Sequence, residues 1–558
     1  MNGRPLRRVA VVGAGAAGAF FTLELARLRP DVTIDLYDRD GRGPGAGIVM
    51  STDYTDHVRQ LFPSAFDLPE TARGRWDRTL TLCGGERIWS GAYGMVGLRR
   101  RTFHSHVRRL AENTPGVRGL RRTVTAVPEG PEAPDVVVLA DGAGSRLRRS
   151  RQEAFGTTVT AGRTRFLWAA APAALEPSFV LKDLRPGLLI VHSYPHAADE
   201  STFIVEADPA VLAAHGLDGR PLPEIEKELA AIFTDELRGV PLHAQTTGWQ
   251  PFRTVVNERW HDGRCVLVGD AAHTVHFSTG SGTALAIDDA LCLAGALAGG
   301  TTVPEALDAY AATRQPVIGA AQEEAGESAE WFETLCRGGR TDGHRTVFAL
   351  RSRRPMNTYD RLRDRDPRFV ARTVSRLAGH PTGAEPRDVP LTIGGLTLES
   401  RVAETEGPGG RPAGLVLRTA GGGVRCPVTD SAADPRALRA AGARAVGLLV
   451  PAVSGPQEPA AGAAATLADD AAARGFDFLA VPSQPGAGRI ARTRRAEELT
   501  SAGVLPVVLL PADLPAADLS AADLSVDEIN TLIAAGRADM VARPPAHPPG
   551  TRARHEPA

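Results

Sequence analysis

Lysine is nearly absent from this 558-residue sequence: Lys182 and Lys227 stand alone among 64 basic residues. Arginine supplies the rest, a compositional bias with no functional reading of its own. An excess of either charge is missing too. Against 65 acidic residues the formal net charge is −1, so there is no field of the kind that draws in nucleic acid or a membrane surface. Cysteine is sparse. Cys83, Cys265, Cys292, Cys336 and Cys426 are scattered, odd in number and form no Cys-x-x-Cys pair, which speaks against a zinc site or a disulfide framework. We expect no metal and a reducing, cytoplasmic setting. No apolar run reaches the ~18 residues of a membrane-spanning helix. The first eight residues include three arginines and lead into a strand, and we expect no secretory leader.

What is present is a large apolar fraction, 43%, and a length that fits two or three domains of ordinary size. The segment "RRVAVVGAGAAGAFFTLELARL" reads as a buried strand, a tight turn and an amphipathic helix. Gly13, Gly15 and Gly18 fit Gly-x-Gly-x-x-Gly. The first glycine makes the turn, the second admits a pyrophosphate, and the third lets the helix pack on the strand. The helix start, with Ala16 and Ala17, offers free N–H groups to phosphate. A second strand, "DVTIDLYDRD", ends at Asp38 and Arg39. Asp38 stands where a ribose-binding acid is expected, the alternative being a solvated strand-end carboxylate.

Two later segments repeat the strand-then-turn form. "DVVVLADGAGSRLRR" runs into Asp141-Gly142 and on to Ser145 and Arg148. "VLVGDAAHTVHFSTGSGTALAIDDA" runs into Gly269-Asp270, then His273 and His276, then Gly280-Ser281-Gly282-Thr283 before an apolar helix. The three motifs in this order resemble the single-component flavoprotein aromatic hydroxylases, with the para-hydroxybenzoate hydroxylase fold. The resemblance implies an α/β architecture: a Rossmann-like FAD-binding domain with an inserted mixed-sheet substrate domain. It places Asp270 on the ribityl chain of FAD and aims the helix that begins near Gly280 at the flavin ring. It also puts Arg100, in "GLRRRTFHSHVRRLAE", beside FAD, with a solvated arginine as the alternative.

Phe277 stands where general members carry proline, and Ala284 where they carry asparagine. The segment "NERWHDGRCVLVGDAAHTVHFSTGSGTALAIDDALCLAGAL" is similar to the salicylyl-CoA 5-hydroxylase and anthraniloyl-CoA monooxygenase group. So are residues 165–208, "SAEWFETL" and "RLRDRDPRFVAR"; the likeness runs over residues 5–380. Ala284 also departs from the lysine of that group. The implied activity is FAD-dependent hydroxylation of an electron-rich ring, carried as a CoA or carrier-protein thioester, with NAD(P)H and O₂ as co-substrates. No second glycine-rich strand–helix unit is evident for a separate nicotinamide domain, which fits NAD(P)H binding on the flavin domain. Two alternatives stay open: epoxidation or oxidative rearrangement of a natural-product intermediate, and a silent FAD-binding scaffold. The assembly is open, with a homodimer as the candidate.

Alternation on "LLIVHSY" puts His192 and Tyr194 on one strand face, as a pocket pair or as a hydrogen-bonded interior pair. His276 is expected to contact the ring or move a proton, making these three the catalytic candidates. His273 reads as structural, Glu206 as solvated or paired, and Trp249 and Phe252 as pocket walls or core. Beyond "RLAGHPTGAEPRDVP" alanine, glycine and proline dominate. "PLTIGGLTLESRV" and "VDEINTLIAAGRADMVARP" look like the start and end of an Old Yellow Enzyme-type barrel. Only 154 residues, 390 to 543, lie between, against about 250 for a (β/α)₈ barrel. "GFDFLAVPSQPGAG" lacks the histidine of that family. The expectation is a truncated (β/α) barrel-like module, short of half its strand–helix units and without FMN. The expected domains are 1–165 (FAD, with a substrate-domain insertion near 55–95), 166–250 (substrate sheet), 251–385 (FAD, second part), 386–545 (degenerate barrel) and a disordered tail, 546–558.

Overall fold

Short runs of valine, isoleucine and leucine build the first sheet. Arg8–Val12 pairs in parallel with Thr33–Asp38 on one side and Val136–Leu139 on the other, and Cys265–Leu267 lies parallel beyond Val136–Leu139. Val117–Arg121 and the short antiparallel His261–Asp262 form the edges. The central strands are buried almost throughout, as a parallel sheet covered by helices requires. Two of the helices, Ala16–Leu28 and Gly282–Ala298, pack on each other. The computed structural model describes residues 6–39, 47–127, 133–338, 342–406, 413–450, 463–483, 489–511 and 524–543. They fall into two compact units, Met1–Leu82 with Gly91–Cys336, and Cys83–Ser90 with Arg337–Ala558.

The first unit also holds a nine-stranded second sheet. Its centre is antiparallel: Thr157–Ala171, Ser201–Ala207, Gly187–Pro195 and Ser178–Leu184 in spatial order. Beyond these it continues through Arg73–Cys83 and Glu86–Arg99 to Gly47–Ser51. Residues 73–99 thus lie in the same sheet as Thr157–Ala171. Side chains alternate between its faces. Leu167, Ala169, Val180, Leu189, Val191, Phe203 and Val205 join a core with residues of the helices Pro209–Ala214 and Leu222–Ile232. The opposite face carries Phe166, Trp168, Phe179, His192, Tyr194 and Glu206, aligned across the strands by register.

The second unit corrects one boundary. Residues 337–385, expected with the flavin domain, group with the C-terminal module. The physical reason is a shared helical layer. Helices Gly343–Ser352, Tyr359–Arg365 and Pro367–Ala378 pack on helix Val526–Ala534. Tyr359 N donates to Thr531 Oγ1 at 2.8 Å, and Arg345 Nη2 donates to the carbonyls of Ile533 and Ala538, each at 3.2 Å.

The module itself is a closed barrel. Four strand–helix units run in order: Gly422–Thr429 with Pro435–Ala440, Gly447–Leu449 with Ala463–Arg474, Phe478–Pro482 with Arg489–Ala502, and Val507–Leu510 with Val526–Ala534. Strand Met540–Arg543 then pairs in parallel with Val402–Glu406. The hairpin Val402–Glu406/Gly414–Thr419 closes the ring by pairing antiparallel with Gly422–Thr429. The interior is filled by apolar side chains, among them Phe478, Leu510 and Met540. The near-repetitive stretch 512–525 lies mostly outside the described residues, and the tail 546–558 wholly so. Among the described residues no helix is long and apolar enough to cross a membrane.

So tight a ring leaves no room beside Phe478. A Cβ on Gly447 would stand 2.3 Å from the Phe478 ring. Gly447→Ala should therefore destabilise the C-terminal unit by about 1–3 kcal/mol, read as a lower denaturation midpoint. Pairing it with Phe478→Leu should restore part of the loss. An unchanged midpoint in Gly447→Ala would contradict the packing.

Candidate functional site

Three neighbouring parallel strands end on the same edge of the first sheet, so the three sequence motifs emerge side by side. Gly13 adopts φ +103°. A Cβ there would lie 2.4 Å from Ala140 O, and one on Gly18 would lie 1.9 Å from Gly13 O. The first turn thus abuts both its own helix and the second turn. Arg148 ties the second turn to the third, donating from Nη1 to Ala271 O at 3.0 Å and from Nη2 to Ala143 O at 2.6 Å. The third turn is pinned in turn to the helix that follows it. His273 Nε2 lies 2.6 Å from Asp289 Oδ2 and its ring stacks on Trp260, 5.4 Å between centroids. Asp289 is fully buried and also accepts from Arg314 Nε at 2.8 Å and from Gly269 N at 3.3 Å. His273 is therefore held between Asp289 and Trp260.

Several polar groups at this edge are left for a ligand. Gly15 and Ser281, at the N-caps of Ala16–Leu28 and Gly282–Ala298, provide no side-chain cap, so the first N–H groups of both helices keep an open valence and a positive dipole end. Asp141 Oδ1 and Arg100 Nε are buried without a hydrogen-bond partner. Burial raises the Asp270 carboxyl above its usual range, while the charges of His273 and Arg100 pull it back. Orphaned donors, orphaned acceptors and uncapped helix starts fit a dinucleotide with phosphates and a polyhydroxyl chain, as FAD has. Thr279 and Ser281 join hydroxyls at 2.9 Å beside Gly280, and Thr283 sits part-buried in the first helical turn. Asp38 accepts from Arg108 Nη1 at 3.0 Å and Arg39 is exposed just beyond it. Among the described residues no cluster of three or more His, Cys, Asp or Glu is arranged to hold a metal.

The polar face of the second sheet brings two of the catalytic candidates together through a residue that sequence reasoning set aside. Glu206 is fully buried. His192 Nε2 lies 3.3 Å from its Oε2, His276 Nε2 lies 4.0 Å from its Oε1, and Thr164 Oγ1 donates to Oε1 at 2.8 Å. Burial works against its ionisation, but the hydrogen bond to His192, the two imidazoles and Thr164 outweigh it and hold the carboxyl below its usual range. His276 Nδ1 continues the network to Ser278 Oγ at 2.9 Å, and Ser278 Oγ to Ser328 Oγ at 2.7 Å.

Around His192 stand aromatic rings. Phe332 is 4.8 Å, Phe179 5.2 Å and Phe277 5.3 Å away between centroids, and Phe277 meets Phe166 at 5.2 Å. Tyr194 stays outside the network. Its hydroxyl donates to Gly47 O at 3.3 Å and its ring stacks on Trp76. Trp249 belongs to the core on the other face, its Nε1 donating to Leu217 O at 2.9 Å, whereas Phe252 packs on His276, 4.8 Å between centroids. Sequence reasoning left Glu206 as solvated or paired, and the structure excludes the first option. A signal existed: Glu206 is the one charged residue in "STFIVEA", and every residue of that strand is buried. Asp289 went unnoticed at the end of its motif, where "IDDA" reads as an ordinary helix stretch.

Residues 97–325 match the FAD binding domain family. Salicyloyl-CoA 5-hydroxylase of a Streptomyces species is 32% identical over 406 residues, spanning 71% of this chain and 78% of that protein. The 3-hydroxy-4-methyl-anthranilyl-(aryl-carrier protein) 5-monooxygenase of Streptosporangium sibiricum is 35% identical over 331 residues, 59% of this chain and 90% of that protein. Protodeoxyviolaceinate monooxygenase of Chromobacterium violaceum is 29% identical over 338 residues, 59% of this chain and 89% of that protein.

The Glu206 pairing has a pH signature. A carboxyl held below its ordinary value contributes its full stability above that value, 4.5 for glutamate. It loses that contribution as the pH falls through its lower folded value. Wild-type stability should therefore drop more steeply below pH 4.5 than that of Glu206→Gln, in denaturation curves taken across acid pH. Parallel acid limbs would remove the claim that Glu206 is held ionised.

Proposed function

This chain belongs to the family of FAD-dependent aromatic monooxygenases, and on that footing we propose that it hydroxylates an electron-rich ring held as a thioester on coenzyme A or a carrier protein. The observation that carries the reading is the His192–Glu206 pair set among Phe179, Phe277 and Phe332. Two relatives act, by their names, on a CoA-bound salicyloyl group and a carrier-bound anthranilyl group, which supports the thioester assignment. A ring bearing a hydroxyl or amino group is activated toward electrophilic oxygen, and more so once that substituent gives up a proton.

Gly13, Gly15, Gly18, Asp141, Asp270 and Arg100 are the groups that would hold FAD, with Asp38 and Arg39 on the ribose side and the helix start at Gly282 toward the flavin. When bound, FAD supplies acceptance of hydride from NAD(P)H and activation of O₂. The chain does the rest. The aromatic walls orient a flat ring and exclude water. His192 takes the proton from the ring substituent, and the ionised Glu206 steadies the imidazolium that forms. His276 extends the same network toward Ser278 and Ser328. We propose further that the C-terminal barrel is an eroded Old Yellow Enzyme-type module without FMN. The apolar side chains of Phe478, Leu510 and Met540, which fill its interior, support that reading.

Purified protein should release FAD and no FMN; an equivalent of FMN per chain would refute the barrel reading. Salicylyl, anthraniloyl and related thioesters, offered on CoA or a carrier protein, should stimulate NAD(P)H oxidation, with mass spectrometry showing one added oxygen. No stimulation and no product from the whole panel would sink the proposal. Glu206→Gln should keep its FAD yet lose about 10²–10⁴-fold in kcat, the range that proton-transfer groups contribute.

A further inference from the structure

The hydrogen-bonded chain does not end at Glu206. Thr164, which donates to Glu206, and His276, which faces it, are also walls of a cavity of about 50 Å³. His192 is not among those walls. The remaining walls include Thr254 from strand Gln250–Asn257, and Gln322, Ala329 and Glu333 from helix Val303–Arg337. Gly162, on the rim, is exposed. Gln322 is held in place by donating to Val255 O at 2.8 Å and to Thr274 O at 3.0 Å. The carboxylate of Glu333 accepts from the backbone of Arg163 at 2.7 Å. Glu206 thus sits between two compartments: an aromatic one reached through His192, and a polar one reached through Thr164 and His276.

We infer that this cavity is the proton exit of the site, in which water held by Thr164, His276 and Gln322 carries to solvent the proton delivered to Glu206. The inference rests on the reading of His192–Glu206 as the acceptor of the ring proton. The step is a proton transfer and nothing is oxidised in it. The O–H or N–H bond of the ring substituent breaks, its electrons stay on the heteroatom, and the proton passes through the imidazole of His192 to Glu206 and then to water. The arrangement answers a physical conflict. An oxygenating site must be dry, yet each turnover deposits a proton that an apolar box cannot hold. A carboxylate at the partition lets the dry side stay dry. The cavity has room for a few waters, at ~10–15 Å³ of cavity volume each, and its walls supply the polar partners that buried water needs.

Two holoenzyme variants test this with a thioester that the wild type converts. Thr164→Val removes the hydroxyl on the partition at constant shape. Ala329→Leu fills the cavity without touching Glu206 or His192. Both should keep the FAD spectrum and KM while kcat falls by about tenfold or more, with a larger solvent deuterium isotope effect on kcat. Imidazole added at high concentration should restore Thr164→Val, whose cavity is open, and leave Ala329→Leu slow. If kcat and the isotope effect match the wild type in both variants, the exit lies elsewhere. If kcat falls with an unchanged isotope effect and no imidazole response, these residues are only structural, which also overturns the inference. Failure of the wild type itself on every thioester would defeat the proposed function instead, so the two failures are told apart.

Discussion

Everything at the cofactor edge depends on three parallel strands lying next to one another: Arg8–Val12, Val136–Leu139 and Cys265–Leu267. They are remote in the chain, and each ends in its own glycine-containing turn. Parallel pairing in neighbouring positions puts the three turns at one end of the sheet, where the ligand crevices of open α/β sheets form. The contacts between turns then follow. Gly13 can meet Ala140 because it has no side chain, and Arg148 can reach the carbonyl of Ala271 because its strand is the middle one of the three. Insert another strand between them and the same motifs would be too far apart to hold one ligand.

That layout explains what could be read from sequence. Each cofactor motif is local: a strand, a turn and a helix start within about 20 residues, with glycines at offsets set by backbone geometry. Such patterns survive in one dimension. The network around Glu206 does not. Glu206 meets His192 through antiparallel register and meets His276 through packing of a distant turn on the sheet, and neither contact leaves a spacing in the chain. Strand alternation correctly paired His192 and Tyr194 on one face, but a shared face does not mean a shared role: Tyr194 turns to Gly47 and Trp76. The boundary after Cys336 was hidden for a similar reason. Helices 343–378 follow the flavin segment without a break in composition, and only their packing against helix Val526–Ala534 shows where they belong.

Glu206 also shows how an apolar sheet tolerates a charge. Burying a lone carboxylate is costly, and the usual escape is protonation. Here two imidazoles and a hydroxyl surround it closely enough to favour the ion. Asp289 solves the same problem with Arg314 and His273. The first network has aromatic rings on its His192 side and a cavity on its Thr164 and His276 side, and the second is closed inside the fold. The two acids are of similar type, and their surroundings are what differ.

The barrel closes through a single hairpin. A sheet that loses strands ordinarily exposes rows of unpaired N–H and C=O groups, which recruit other chains. In this ring, strand Gly414–Thr419 pairs with Val402–Glu406 on one side and with Gly422–Thr429 on the other, so the seam is stitched by backbone hydrogen bonds. Such a ring leaves no sticky margin along that seam. A ring of few strands can thus close on itself without a partner chain to cover its edge.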